Sequence, residues 1–280
     1  MTRSGHSPPR PAGLDLGAYF RRIGYEGPAT SDLTTLRAIL RRQVGSIPFE
    51  NLDPVTGRPV RLDLSSLEAK LVRSRRGGYC FELNSLLRAA LATLGFAVTG
   101  LAARVRWMTP PERPLGPRTH MLLRVELPEG TYLADAGFGG HLLDEPLRLE
   151  IDSEQRTPAA RYQLTRRDGV FALSTRLSSG WQPMYQFDLE PQVPADYEMG
   201  SWFTSTHPGS WFTQRLLIER LTDHARHTLS NTRLVERCRD GTVSERNLSD
   251  PAQLADALER VFGLSSPVPA TDLYARIAGA

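Results

Sequence analysis

The apolar residues of this chain change their spacing near residue 95, and that change excludes any uniform architecture. Before it they recur at three- and four-residue intervals: Leu16, Tyr19, Phe20, Ile23; Leu33, Leu36, Ile39, Leu40, Val44; Leu67, Leu71, Val72; Leu83, Leu86, Leu87, Leu91. Intervals of that size lay a stripe along one side of a helix. The punctuation agrees. Thr30-Ser31-Asp32 can cap the second helix, which ends before Ile47-Pro48. Ser65 and Glu68 have capping-box spacing ahead of the third, which should stop at Gly77-Gly78, and the fourth runs from near Cys80 to Gly95.

Beyond Gly95 the pattern is that of strands: Phe96 to Trp107, His120 to Leu127, Tyr132 to Phe138, Arg161 to Arg167 and Val170 to Leu177, the last two joined by Asp168-Gly169. The expected class is therefore α+β, with a proline-rich disordered tail over 1–13, a helical bundle over 14–95 and a β-rich part over 96–193 that suits a small barrel. Residues 194–280 read as mixed. They offer a helix or loop over Pro194 to Thr206, strands near Phe212 to Leu221 and Leu229 to Cys238, an Asp240-Gly241 turn, and helices at 251–262 and 271–278.

Composition narrows the function. With 280 residues, 40% of them hydrophobic, the chain can bury a sizeable core. It has no apolar run of membrane-spanning length, and residues 1–13 lack the apolar stretch of a signal peptide, so cytoplasm is the default location. A net charge of +3, with no basic stripe interleaved with aromatics, argues against a nucleic-acid partner. The basic residues are all arginine except Lys70. Two isolated cysteines, Cys80 and Cys238, form neither a disulfide framework nor a zinc motif. His224 and His227 lie three apart in a polar stretch that reads as a solvated surface, so no metal is assigned. Trp202, Phe203, Trp211 and Phe212 read as core aromatics.

Cys80 is different. It follows Arg75-Arg76-Gly77-Gly78-Tyr79 and opens a helix, where unpaired N–H groups and the positive end of the dipole stabilise a thiolate. The glycines allow a substrate carbonyl close to the backbone. The competing reading is a small buried hydrophobe beside a turn, and Cys238, inside a strand, fits that description.

A cysteine nucleophile needs a base and a group to orient that base. His120 opens one apolar strand, and Asp135 lies in the next, where a buried carboxylate needs a partner. If a four-residue loop, Leu127 to Gly130, closes the hairpin, Glu126 pairs with Thr131 and Asp135 falls opposite Leu122. His120 is then its diagonal neighbour, at roughly 7–8 Å between backbones. A loop one residue longer or shorter would put the two on opposite faces, so spacing permits the contact without requiring it.

Four segments together resemble the arylamine N-acetyltransferase family. They are Pro48-Phe49-Glu50-Asn51-Leu52, Arg76 to Asn84 (Arg-Gly-Gly-Tyr-Cys-Phe-Glu-Leu-Asn), Thr119-His120, and Asp135 to Gly139 (Asp-Ala-Gly-Phe-Gly). Weaker similarity continues through Thr206 to Phe212. The resemblance implies an N-terminal helical bundle, a central β-barrel and a C-terminal α/β lid, around a catalytic core like that of cysteine proteases and transglutaminases. It implies a triad of Cys80, His120 and Asp135 that moves acetyl from acetyl-CoA to an aromatic amine, hydrazine or hydroxylamine in a ping-pong reaction. It places Thr119, Phe138, Gly139 and Phe212 around the substrate pocket. Glu50 and Arg76 are implied to brace the bundle, with Glu82 and Asn84 as helix-start and packing residues. The partners expected are these small molecules, with neither nucleic acid nor membrane, for a monomer or homodimer.

Three other readings share these residues. One is an amide synthase of natural-product biosynthesis fed by a carrier protein, which pocket volume and failure to bind CoA would reveal. Another is a cysteine hydrolase, which would release acid without an amine. The last is an inactive binding paralogue, which should have lost a member of the triad.

Overall fold

The computed structural model describes residues 13–110 and 112–279, so the expected tail lies outside the described residues apart from Gly13. Helix α1 (Leu16–Ile23) starts on Asp15, whose carboxylate accepts from the Ala18 N–H, and ends at Gly24 with a φ of 64°. Asp32 caps α2 (Leu33–Ser46) by accepting from Thr35. Then follow β1 (Phe49–Glu50), α3 (Leu52–Val55), α4 (Leu64–Leu67), a π-helical turn over Glu68–Arg73, and α5 (Cys80–Thr93).

The cap of α4 is Asp63, not Ser65: its Oδ1 takes the Ser66 N–H at 3.0 Å. The helical run ends at Arg73 rather than at the paired glycines. Those glycines serve a close approach instead. Glu50 N–H donates to Gly78 O at 2.9 Å, and a Cβ on Gly77 would overlap the Pro48 carbonyl.

Eight strands then build a nearly closed antiparallel barrel: β2 (Ala97–Val105), β3 (Arg118–Leu127), β4 (Gly130–Ala134), β5 (Leu147–Arg148), β6 (Glu154–Arg156), β7 (Arg161–Arg167), β8 (Val170–Leu177) and β9 (Gly180–Phe187), in the order β5-β4-β3-β2-β9-β8-β7-β6. Its two edges are tied by Gln155, whose amide accepts from Arg148 N and donates to Arg148 O, both at 2.7 Å. Alternation divides the strands between two cores. Met121, Leu123 and Val125 of β3 pack against α5, while Leu122 and Leu133 point into the barrel with Leu173 and Met184. Burying each such side chain is worth about 1.5–3 kcal/mol. The sequence pattern missed β9 because Pro183 interrupts it; that proline sits where the β8–β9 register shifts.

The chain continues through α6 (Pro194–Thr206), α7 (Trp211–Gln214), β10 (Leu217–Leu221), β11 (Ala225–Ser230), β12 (Arg233–Cys238), β13 (Val243–Asn247), α8 (Pro251–Asp256) with a π-helical turn over Ala257–Val261, and α9 (Ala270–Ile277). Two strand expectations need correction here. Ser210 Oγ takes the Phe212 N–H and starts a helical turn, so the strand begins only at Leu217. The run Leu229 to Cys238 is split by the turn at Asn231, with φ 51°, into the end of β11 and the whole of β12. The second sheet, β1-β10-β11-β12-β13, takes its edge strand from the first third of the chain. Leu52 and Val55 join Leu254, Phe262 and Leu273 in its core. Among the described residues no helix is long and apolar enough to cross a membrane.

Candidate active site

Cys80 is the first residue of α5 and is 3% exposed. The helix start is fixed by Glu82, whose Oε2 accepts from the Tyr79 N–H at 3.2 Å. Glu82 is also part of a buried ionic cluster. Lys70 Nζ lies 2.7 Å from Glu82 Oε1 and 2.6 Å from Asp53 Oδ2, and Arg76 Nη2 lies 2.8 Å from Glu50 Oε1 and 3.1 Å from Asp53 Oδ1. The expected Glu50–Arg76 brace is thus one edge of a larger network, and the sole lysine is its centre. Burial raises the Glu82 pKa against the pull of Lys70. For Asp53 burial also acts upward, but Lys70 and Arg76 outweigh it and hold the pKa below the usual range.

The β3–β4 ladder pairs Glu126 with Thr131 and Leu123 with Ala134. Asp135 therefore comes one step past the ladder, opposite Leu122. The strand expected to reach Phe138 stops at Ala134 because Asp135 Oδ1 turns back to accept the Gly137 N–H at 2.9 Å. Asp135 Oδ2 stands 2.7 Å from His120 Nε2, and both residues are buried. Cys80 and His120 line the same cavity, and the ring nitrogen not bonded to Asp135 is Nδ1. The Cys80 thiol lies 3.5 Å from the Thr119 carbonyl oxygen.

Burial opposes charge on His120, yet the Asp135 carboxylate, with a smaller contribution from Cys80, pushes its pKa up to about 10. Burial would raise Asp135, but His120, Asn84 and the Gly137 N–H together keep it ionised below the usual carboxylate range. Asn84 therefore does more than pack: its Nδ2 donates to Asp135 Oδ1 at 2.9 Å and to Met121 O at 2.7 Å, and its Oδ1 accepts from Ala136 N–H at 2.8 Å. Tyr185, which no sequence signal singled out, covers the imidazole at a ring distance of 4.8 Å.

A cavity of about 1260 Å³ opens over these groups. Cys80, Thr119, His120, Phe138, Gly139 and Phe212 all line it, whereas Asp135 stands behind His120. The Phe138 ring meets His120 edge-on at 5.1 Å, Gly139 leaves room for the Phe49 ring, and Phe212 packs on Phe49 and Tyr79 at 5.9 and 5.7 Å. Asn51 holds the helical turn of Phe212 by donating to Phe212 O at 3.0 Å and Arg215 O at 2.7 Å. Arg237, Cys238 and Arg239 also line the cavity. Cys238 is thus half-exposed in the cavity wall rather than a core thiol; partial burial, then Glu236 and Asp240, raise its pKa. Nor are Trp202 and Trp211 core residues. Helix α6 buries Tyr197, Ser201, Thr204 and Ser205 and leaves Trp202 68% exposed, while Trp211 opens α7 at 64% exposed with Arg215 over its ring.

The arrangement suits acyl transfer: a thiol at a helix N-terminus, an oriented base, and a shielded cavity. The sequence model of the N-acetyltransferase family matches residues 32–269. The chain is 44% identical to an arylamine N-acetyltransferase of Mycolicibacterium smegmatis over 95% of its own length and 98% of that protein. It is 42% identical to one of Escherichia coli over 89% and 88%. The structure of the M. smegmatis enzyme superposes with a TM-score of 0.90 at 43% identity, covering 96% of this chain and 99% of that one. That of Mycobacterium marinum arylamine N-acetyltransferase in complex with CoA also gives 0.90, at 40% identity over 94% and 98%. The chain belongs to the arylamine N-acetyltransferase family.

Proposed function

We propose that the chain transfers acetyl from acetyl-CoA to arylamines, arylhydrazines or N-hydroxyarylamines through an acetyl-Cys80 intermediate. The observation that carries this reading is the pairing of His120 Nε2 with Asp135 Oδ2 where Cys80 and His120 together line a cavity shared with Phe49, Phe138 and Phe212. A relative from Salmonella typhimurium is named an arylamine N-acetyltransferase and N-hydroxyarylamine O-acetyltransferase, which suits the wider acceptor range.

His120 takes the thiol proton, and the thiolate attacks the thioester carbonyl while backbone N–H groups near the helix start hold the oxyanion. The imidazolium returns its proton to the departing CoA sulfur. In the second half an arylamine, uncharged at neutral pH, attacks acetyl-Cys80. Neutral His120 takes the amine proton, the Cys80 thiolate leaves, and the resting pair is restored. Asp135 keeps Nδ1 aimed at sulfur throughout and stabilises the cation. The aromatic lining keeps out water, which would hydrolyse the intermediate. Arg237 and Arg239 line the cavity and offer positive charge to the phosphates of CoA. A cytoplasmic, reducing location, which keeps both cysteines as thiols, is part of this reading.

Initial rates measured over a grid of acetyl-CoA and arylamine concentrations test it. Parallel double-reciprocal lines are expected. Intersecting lines, or equal CoA release with the amine omitted, would exclude the proposed sequence of steps.

A further inference from the structure

Glu219 on β10 is fully buried and does not line the cavity, yet its carboxylate is committed to the loop that does. Oε2 accepts the Gly140 N–H at 2.5 Å, and Oε1 accepts the Leu142 N–H at 2.9 Å together with Arg226 Nη1. Arg226 Nη2 in turn donates to Leu142 O at 3.2 Å. Gly140 has a φ of 99°, a conformation open to glycine, so the loop can offer this amide to the carboxylate. In the β1–β10 ladder Glu219 pairs with Phe49, and it is the Phe49 ring that Gly139 accommodates. One register position of the second sheet therefore fixes the loop twice, by packing at Gly139 and by hydrogen bonds at Gly140 and Leu142. Between Gly137, packed on Cys80, and these anchors, the Phe138 ring is held against His120, Tyr185 and Trp107.

A buried ion pair adds little net stability over apolar packing of the same volume, but its hydrogen bonds have direction. Here they are directed at the cavity wall. We propose that Glu219 is a positioning residue that sets the Phe138–Gly140 wall and thereby the selection of amine acceptors, planar arylamines depending on the wall and small hydrazines not. This rests on the acyl-transfer reading above.

The test compares the full-length wild type with Glu219→Gln, using acetyl-CoA with p-anisidine and with hydrazine. An amide nitrogen cannot accept, so the variant loses one loop bond and the charge facing Arg226. KM for p-anisidine should rise about tenfold with kcat within about threefold, while kcat/KM for hydrazine changes by less than about threefold. Equal losses for both amines, or an unchanged KM for p-anisidine, would overturn the proposal. If Glu219→Gln does not fold because Arg226 is left unpaired, the double variant Glu219→Gln, Arg226→Met removes that charge and should show the same split. A wild type inactive with both amines would overturn the transfer reading itself.

Discussion

Asp135 reaches His120 across a diagonal of the β3–β4 pair, with Oδ2 and Nε2 2.7 Å apart although the ladder ends one residue before the aspartate. Its other oxygen is shared by Asn84 and the Gly137 N–H, so the carboxylate cannot turn without breaking bonds to two elements.

Asp135→Asn should accordingly keep the fold and lose the chemistry. An amide can present N–H where the ring needs an acceptor, which favours the wrong tautomer. Single-turnover acetylation by acetyl-CoA should slow by on the order of a thousandfold, with an unchanged circular dichroism spectrum. A rate within about tenfold of wild type would remove Asp135 from the mechanism.

His120, with a pKa of about 10, carries its proton through neutral pH and so offers a cation to the Cys80 side there. Iodoacetamide should alkylate Cys80 rapidly even at about pH 6–7, and His120→Ala should slow that reaction markedly. The fold should register the same pair. A ring raised above its reference of 6.5 stabilises fully below that pH and loses its contribution as pH rises through about 10. Asp135, lowered from 3.8, contributes above that pH and loses its contribution as pH falls through its folded value. Thermal melts should therefore show the gap between wild type and His120→Ala narrowing from pH 6.5 towards 10. A constant gap would deny the pairing.

Lys70 bridges Glu82 and Asp53 with a side chain only 17% exposed. Lys70→Met leaves two buried carboxylates short of a partner and should cost about 3–5 kcal/mol. In a protein of this size that lowers Tm by about 10 °C, readable by calorimetry. A shift of less than about 2 °C would mean that the cluster is screened by water.

The halves of the site differed in how far sequence exposed them. Cys80 was legible because a glycine pair and a helix start are local features, whereas the hairpin spacing only permitted the His120–Asp135 contact, and the Glu126–Thr131 pairing of the structure selects that register. Asn84, Tyr185 and Glu219 were not legible, because each acts on a residue distant in sequence and carries no local mark of it. Asn84 passed for a packing residue of its own helix, while Glu219 sits in a strand whose partner β1 is only two residues long. The fold shows the same division. Strands with unbroken alternation, such as β7 and β8, stood out, whereas β9 was hidden by Pro183 and α7 by aromatic residues that also suit a strand. Lys70 was visible as the one lysine among arginines, though only the packed cluster shows what it holds.

Mass spectrometry of the intact protein mixed with acetyl-CoA, followed by peptide mapping, tests the acyl-enzyme most directly. One acetyl group should appear on Cys80, persist in Cys238→Ser, be absent in Cys80→Ser, and disappear on addition of an arylamine as the N-acetyl product forms. Acetyl on Cys238 alone, or a Cys80 adduct that an arylamine does not discharge, would contradict transfer through Cys80.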